Sequence, residues 1–154
     1  ELRRPALNWS GSGYLDMNAG DEPLEDGFCR WDWSRADLGD GAAVLYDTTR
    51  RDGTNQALSL RFDRSGSVEQ FQPLSRQPLP PTPIWRINRH TRAHGDDAQI
   101  QKTLEDTPFY ARSLLHTKVL GEKTTAMHES LSLDRFSTHW VKGLIPFRNP
   151  RVFW

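Results

Sequence analysis

Tyr14 and Asp16 are two positions apart. In an extended run they share one face, because alternate side chains of a strand point the same way. Four further carboxylates, Asp21, Glu22, Glu25 and Asp26, crowd the turn that follows. Trp31-Asp32-Trp33-Ser34-Arg35 then alternates at strand spacing, with Trp31 and Trp33 on one side and Asp32 on the other. A carboxyl group beside aromatic rings, in a sheet able to enclose an apolar ligand, can protonate a carbon–carbon double bond. A free Asp titrates at about 3.9 and is ionised at neutral pH. Burial against apolar walls and repulsion from neighbouring carboxylates raise that value.

A second acid stands on an apolar face. A strand over 124–133 puts Met127, Glu129, Leu131 and Leu133 on one side and His128 on the other. An acid in that setting must be paired, neutral or functional. A salt bridge to Arg35 or Arg112 is one account and a place in a ligand site is the other. Tyr46, on a strand over 42–49, is a further ring for the same wall. Asp32 reads as a solvated or sheet-surface charge.

Other chemistries find little support. The acidic stretch 16–26 lacks the EF-hand pattern, and its bland reading is a solvated loop. The five histidines are scattered; His90 and His94 are four apart on a strand-and-turn segment. Neither a metal nor a cofactor is expected. There is no Gly-rich phosphate loop and no GxSxG elbow. Arg86, Arg89 and Arg92, with Trp85 and His90, read as a basic surface strand that could meet anionic headgroups. The basic, aromatic stretch 146–154 reads in the same way, or as a segment that packs on another domain.

Positioning these groups falls to short strands. The pattern predicts strands over 10–18, 28–36, 42–49, 56–63, 68–71, 84–93, 98–106 and 124–133, and 109–120, which alternates less clearly, reads as extended. Asp-Gly and Ser-Gly turns separate several of them. The segment 73–83 holds five of the ten prolines and reads as a connection. A short helix over 134–143, with Asp134 as N-cap and Phe136 and Trp140 on its inner face, closes the pattern. Strands at this spacing predict an all-β antiparallel barrel or sandwich.

The 154 residues suit one domain with a single core. Twenty Lys plus Arg balance twenty Asp plus Glu, so there is no basic field and nucleic acid is not an expected partner. Six Trp, seven Phe and three Tyr in a polar chain suit aromatic-lined walls. Cys29 stands alone and reads as a small half-buried residue, with a reducing cytoplasm the default compartment.

The words GSGYLDMNAGDEPLEDGF, RWDWSRADL, AAVLYDTTRRDG, TPFYARSLL, HESLSLDRFSTHWV and LIPFRNPR, in this order, resemble the carotenoid 1,2-hydratase (hydroxyneurosporene synthase) family. The resemblance implies a lipocalin-like (calycin) β-barrel, the C-terminal one of two in a longer protein, with an N-terminal domain as partner. It implies addition of water to the terminal double bond of an acyclic carotenoid: protonation, a tertiary carbocation, then water capture. Carried over to this chain, the family's Tyr-x-Asp motif makes Asp16 the acid and Tyr14 its partner. Trp31, Trp33, Tyr46 and Glu129 are then candidates for the wall that holds the polyene. The implied location is the cytoplasm of a bacterium or the periphery of its inner membrane. A non-catalytic lipophile-binding barrel, a truncated binding half, or a pericyclic cyclase on the same scaffold are the alternatives.

Overall fold

The structure is a computed structural model. It describes residues 2–145 apart from 4, 5, 9, 11, 12, 16 and 96. Eleven strands and three short helices follow one another: β1 (Leu2–Arg3), β2 (Ala6–Leu7), α1 (Leu24–Gly27), β3 (Phe28–Leu38), β4 (Gly41–Arg50), β5 (Asn55–Asp63), β6 (Val68–Gln70), β7 (Ser75–Leu79), β8 (Arg89–Ala93), β9 (Gln99–Asp106), β10 (Tyr110–Val119), β11 (Glu122–Ser132), α2 (Leu133–Phe136) and α3 (His139–Leu144). Seven strands form one antiparallel sheet in the order β6-β5-β4-β3-β11-β10-β9. β1–β2 and β7–β8 are separate two-stranded pairs.

Tight turns set the register. Leu120 and Gly121 both have positive φ, 50° and 86°, as the β10–β11 reversal requires. Gly41 opens β4 where a Cβ would fall 1.9 Å from the Phe62 carbonyl oxygen, so only glycine allows β4 and β5 to meet there. Asp63 Oδ1 accepts the amides of Ser65 and Ser67 at 2.8 and 2.9 Å and shapes the next hairpin.

The pleat separates two faces. On one, Arg112, Glu129, Trp33, Tyr46 and Leu58 are successive cross-strand partners from β10 to β5. On the other, Ser113, His128, Ser34, Leu45 and Ser59 form the next row, and all of them are buried. β8 packs against β3, β10 and β11 on this buried face. At one end the layer is apolar, built from Ala36, Leu38, Ala43, Leu45, Leu79, Leu115, Val119 and Ala126. Toward the other end it is polar. Arg89, 3% exposed, donates to Ser113 Oγ at 2.8 Å, Thr103 Oγ1 at 3.0 Å and the Pro80 carbonyl at 2.6 Å. Arg92 pairs with Asp47 at 2.6 Å.

Several expectations are corrected. The chain is all-β and antiparallel, but among the described residues the large sheet is open, with β6 and β9 as edges, and no closed barrel forms. The described residues of 10–18 are not a strand; they find no ladder partner, and Leu15 and Met17 are almost fully exposed. The proline segment contains β7, where Pro78 is tolerated because a two-stranded pair has only edges. Only 89–93 of the expected 84–93 strand is extended; Trp85 lies in a turn and is exposed, while Ile87 is buried. The expected helix is two helices, interrupted at Ser137 and Thr138. Asp134 sits in the first turn of α2 rather than at its cap and pairs with Arg51. Phe136 packs on Phe109, whereas Trp140 is half exposed and stacks on Trp85.

Asp32 is the largest correction. It is 3% exposed, bonded by Arg30 Nε at 2.7 Å, by the Ser130 hydroxyl and by the His90 amide at 3.4 Å. Arg89 and Arg92 are likewise held under the sheet and do not form a basic surface strand. Headgroup contact therefore has no basis in those two residues. The stretch 146–154 lies outside the described residues.

Candidate active site

The face opposite the β7–β8 pair carries a cleft of about 280 Å³. Trp31 and Trp33 of β3, Tyr46 of β4, and Glu129 and Leu131 of β11 supply the sheet wall. Tyr14 and Asn18, from the segment that leads into α1, and Leu24, the first residue of α1, supply the rest. Tyr14, Trp31, Trp33, Tyr46 and Glu129 are thus brought together in one place. Asp16 lies outside the described residues, and in the chain it falls between two residues of the lining, Tyr14 and Asn18.

The rings contact one another in two groups. The centroids of Tyr14 and Trp33 are 5.3 Å apart and tilted by 36°. Trp31 meets Phe28 at 5.4 Å and Tyr46 edge-on at 5.9 Å. Such contacts hold the rings in fixed orientations. The Arg35 guanidinium lies 5.6 Å from the Tyr14 ring centroid and pairs with Asp37 at 2.8 Å. Arg35 therefore does not serve Glu129, leaving the other partner weighed from the sequence.

Arg112 is that partner. Its Nε donates to Glu129 Oε1 at 3.0 Å and to the Tyr110 hydroxyl at 2.9 Å. Its Nη1 reaches Glu105 Oε1 at 3.2 Å. Burial pushes the Tyr110 phenol well above its ordinary value, and the neighbouring Glu129 charge and hydrogen bond add to the shift. The phenol therefore stays protonated beside Glu129. The Arg112 guanidinium is held charged, since Tyr110, Glu129 and Glu105 outweigh the opposing effect of burial.

Behind the sheet, His128 is fully buried with its Nε2 2.8 Å from the His90 carbonyl oxygen, which requires a proton on Nε2. Burial depresses its pKa, with Asp32 opposing. It points away from the cleft and takes no part in it. Among the described residues, no three metal-ligating side chains come together.

Sequence reasoning did not single out Asn18 and Leu24. Their segment carries no periodic signal, and their place in the lining depends on tertiary contacts that residue order does not show. Leu131 shares the Glu129 face by simple alternation and was legible.

The chain is thus an antiparallel β-sheet protein with an aromatic-lined cleft on one face, where Glu129 rests on Arg112. The family described as carotenoid hydratase CrtC matches residues 1–153, and the chain belongs to that family. It is 57% identical over 153 residues to an acyclic carotenoid 1,2-hydratase of Thiocapsa roseopersicina, covering 99% of this chain and 38% of that protein. It is 46% identical to the protein of the same name from Rubrivivax gelatinosus, covering 98% of this chain and 37% of that one. The chain thus spans well under half the length of these two relatives. A solved structure from Nitrosomonas europaea, assigned as AttH, superposes with a TM-score of 0.52 at 17% identity, over 73% of this chain and 41% of that one. That likeness concerns the fold alone.

Proposed function

We propose that this chain carries the reaction site of an acyclic carotenoid 1,2-hydratase. The observation that supports it most is the meeting of Tyr14, Trp31, Trp33, Tyr46 and Glu129 around one cleft in a chain of this family. The end of an acyclic polyene lies against Trp31, Trp33 and Tyr46. Asp16 donates a proton to the less substituted carbon of the terminal alkene, and a tertiary cation forms at the other carbon. The faces of Tyr14 and Trp33 stabilise that charge through their quadrupoles. Water adds to the cation, the oxonium ion loses a proton, and the tertiary alcohol leaves. The reaction exchanges no electrons, so the proposal names no redox cofactor.

The same reading makes this chain the C-terminal one of two lipocalin-like domains, with the N-terminal domain as its partner. The relatives' greater length supports it. It also carries the proposals of a bacterial cytoplasmic setting and of peripheral contact with the membrane that holds the polyene. No helix among the described residues is long and apolar enough to cross a membrane.

Asp16→Asn tests the reading. The variant is expected to bind a detergent-solubilised acyclic carotenoid as the parent does and to form no tertiary alcohol by mass spectrometry. Alcohol at the parent's rate would remove Asp16 from the reaction.

A further inference from the structure

We infer that Glu129 is the proton acceptor for the water that captures the cation, with Arg112 and Tyr110 as the residues that aim it. The inference rests on the hydratase reading and adds a second carboxyl group to it. Capture of a tertiary cation by water gives an oxonium ion, and that ion must lose a proton before the alcohol can leave. An oxonium is a strong acid, so its acceptor needs position more than raised basicity. Glu129 has that position. It lines the cleft and is the direct cross-strand partner of Trp33, whose ring Tyr14 contacts at 5.3 Å.

The hydrogen-bond inventory agrees. A carboxylate accepts at roughly four lone-pair sites. Arg112 Nε–H donates to Glu129 and to the Tyr110 hydroxyl beside it, which leaves Glu129 acceptor capacity toward the cleft it lines. Both residues come from β10, the strand beyond β11, so they hold the carboxylate from the side away from the rings. The side chain is 26% exposed, which leaves room for water to reach it.

The step balances. The new C–H bond takes its proton from Asp16. The new C–O bond takes an electron pair from water. The O–H bond that breaks passes its proton to Glu129; solvent then takes that proton from Glu129 and returns one to Asp16. Nothing is oxidised or reduced.

The test is the natural protein that carries this chain, at its natural length, with an acyclic carotenoid in heavy water. Two readouts are followed: tertiary alcohol, and deuterium exchanged into the unreacted alkene. Exchange reports a cation that forms and then loses a proton instead of gaining water. Glu129→Gln is expected to keep exchange within about threefold of the parent. It should lose alcohol by roughly a hundredfold or more, the scale of a general base. Quenching of tryptophan fluorescence by the carotenoid checks that the variant folds and binds. Should that quenching be lost, Glu129→Asp decides; it keeps the charge but withdraws it by one methylene. It is expected to raise the ratio of exchange to alcohol about tenfold or more.

Alcohol from Glu129→Gln within about threefold of the parent overturns the inference, as does loss of exchange together with alcohol in a variant that binds. An unchanged ratio in Glu129→Asp does the same. A parent that neither exchanges nor hydrates contradicts the hydratase reading itself, and the inference falls with it.

Discussion

Trp33 and Glu129 are direct Cα partners across β3 and β11, so one ladder fixes the central ring of the cleft and its carboxylate relative to each other. Arg112 continues that row on β10 and Tyr46 continues it on β4. The site is thus a line across the sheet, and its spacing is that of the strands. A ligand laid along this row meets rings from one side and an anchored acid from the other.

Removal of Trp33 tests the wall. Trp33→Ala takes away the ring that touches Tyr14 and leaves the strand's buried face, Asp32 and Ser34, unaltered. Carotenoid binding, read by quenching of the remaining tryptophans, is expected to weaken about five- to thirtyfold, as loss of a ring contact of about 1–2 kcal/mol gives. Binding at the parent's strength would mean that the ligand lies elsewhere.

Arg112→Gln separates aim from stability. The Arg112–Glu129 pair is 39% and 26% exposed, and pairs of that kind contribute about 1 kcal/mol or less to folding. Urea unfolding is therefore expected to change little. Alcohol formation is expected to fall about tenfold, because Glu129 loses the donor that orients it. A large loss of stability with unchanged specific activity would make the pair structural.

Asp32 carries the opposite expectation. It gathers Arg30, the Ser130 hydroxyl and the His90 amide beneath β8. Asp32→Ala leaves those donors buried without an acceptor and is expected to cost about 3–5 kcal/mol, measured by urea unfolding. A cost under 1 kcal/mol would mean that β8 does not dock there.

The same layer sets a pH dependence. Burial depresses the His128 pKa in the folded chain, while the unfolded chain titrates near 6.5. His90, also depressed chiefly by burial, acts in the same direction. Below about 6.5 the unfolded state binds more protons, so stability falls as pH falls. The loss approaches about 1.4 kcal/mol per pH unit for each such histidine, until its folded-state value is reached. Above about 7 neither group contributes a slope. Chemical denaturation at a series of pH values, with His128→Gln beside the parent, reads this; the variant is expected to show the shallower slope between pH 5 and 6.5.

The alternation of β3, β4, β5 and β11 was legible because a period of two needs only local residue order, while β10 looked extended with a less clear alternation. It placed Trp31 with Trp33 and Glu129 with Leu131, both correctly. Register was not legible. That Glu129 faces Trp33, and Arg112 faces Glu129, depends on the Leu120–Gly121 reversal and on the long connection that brings β11 beside β3. Asp32 looked solvated because its partners, Ser130 and His90, are distant in the chain. β7 was hidden by its prolines, which an edge strand tolerates. The Tyr14 segment looked extended from spacing alone, yet no neighbouring strand pairs with its described residues; ring contact with Trp33 and the Arg35 guanidinium over its ring tie Tyr14 to β3.

The most direct measurement follows the atoms of water. The natural protein that carries this chain is given an acyclic carotenoid in oxygen-labelled heavy water, and the product is weighed by mass spectrometry. The account predicts a tertiary alcohol that carries one labelled oxygen and one carbon-bound deuterium for each end that reacts. A product isomerised or cyclised without the labelled oxygen, or carotenoid bound and released unchanged, would contradict it.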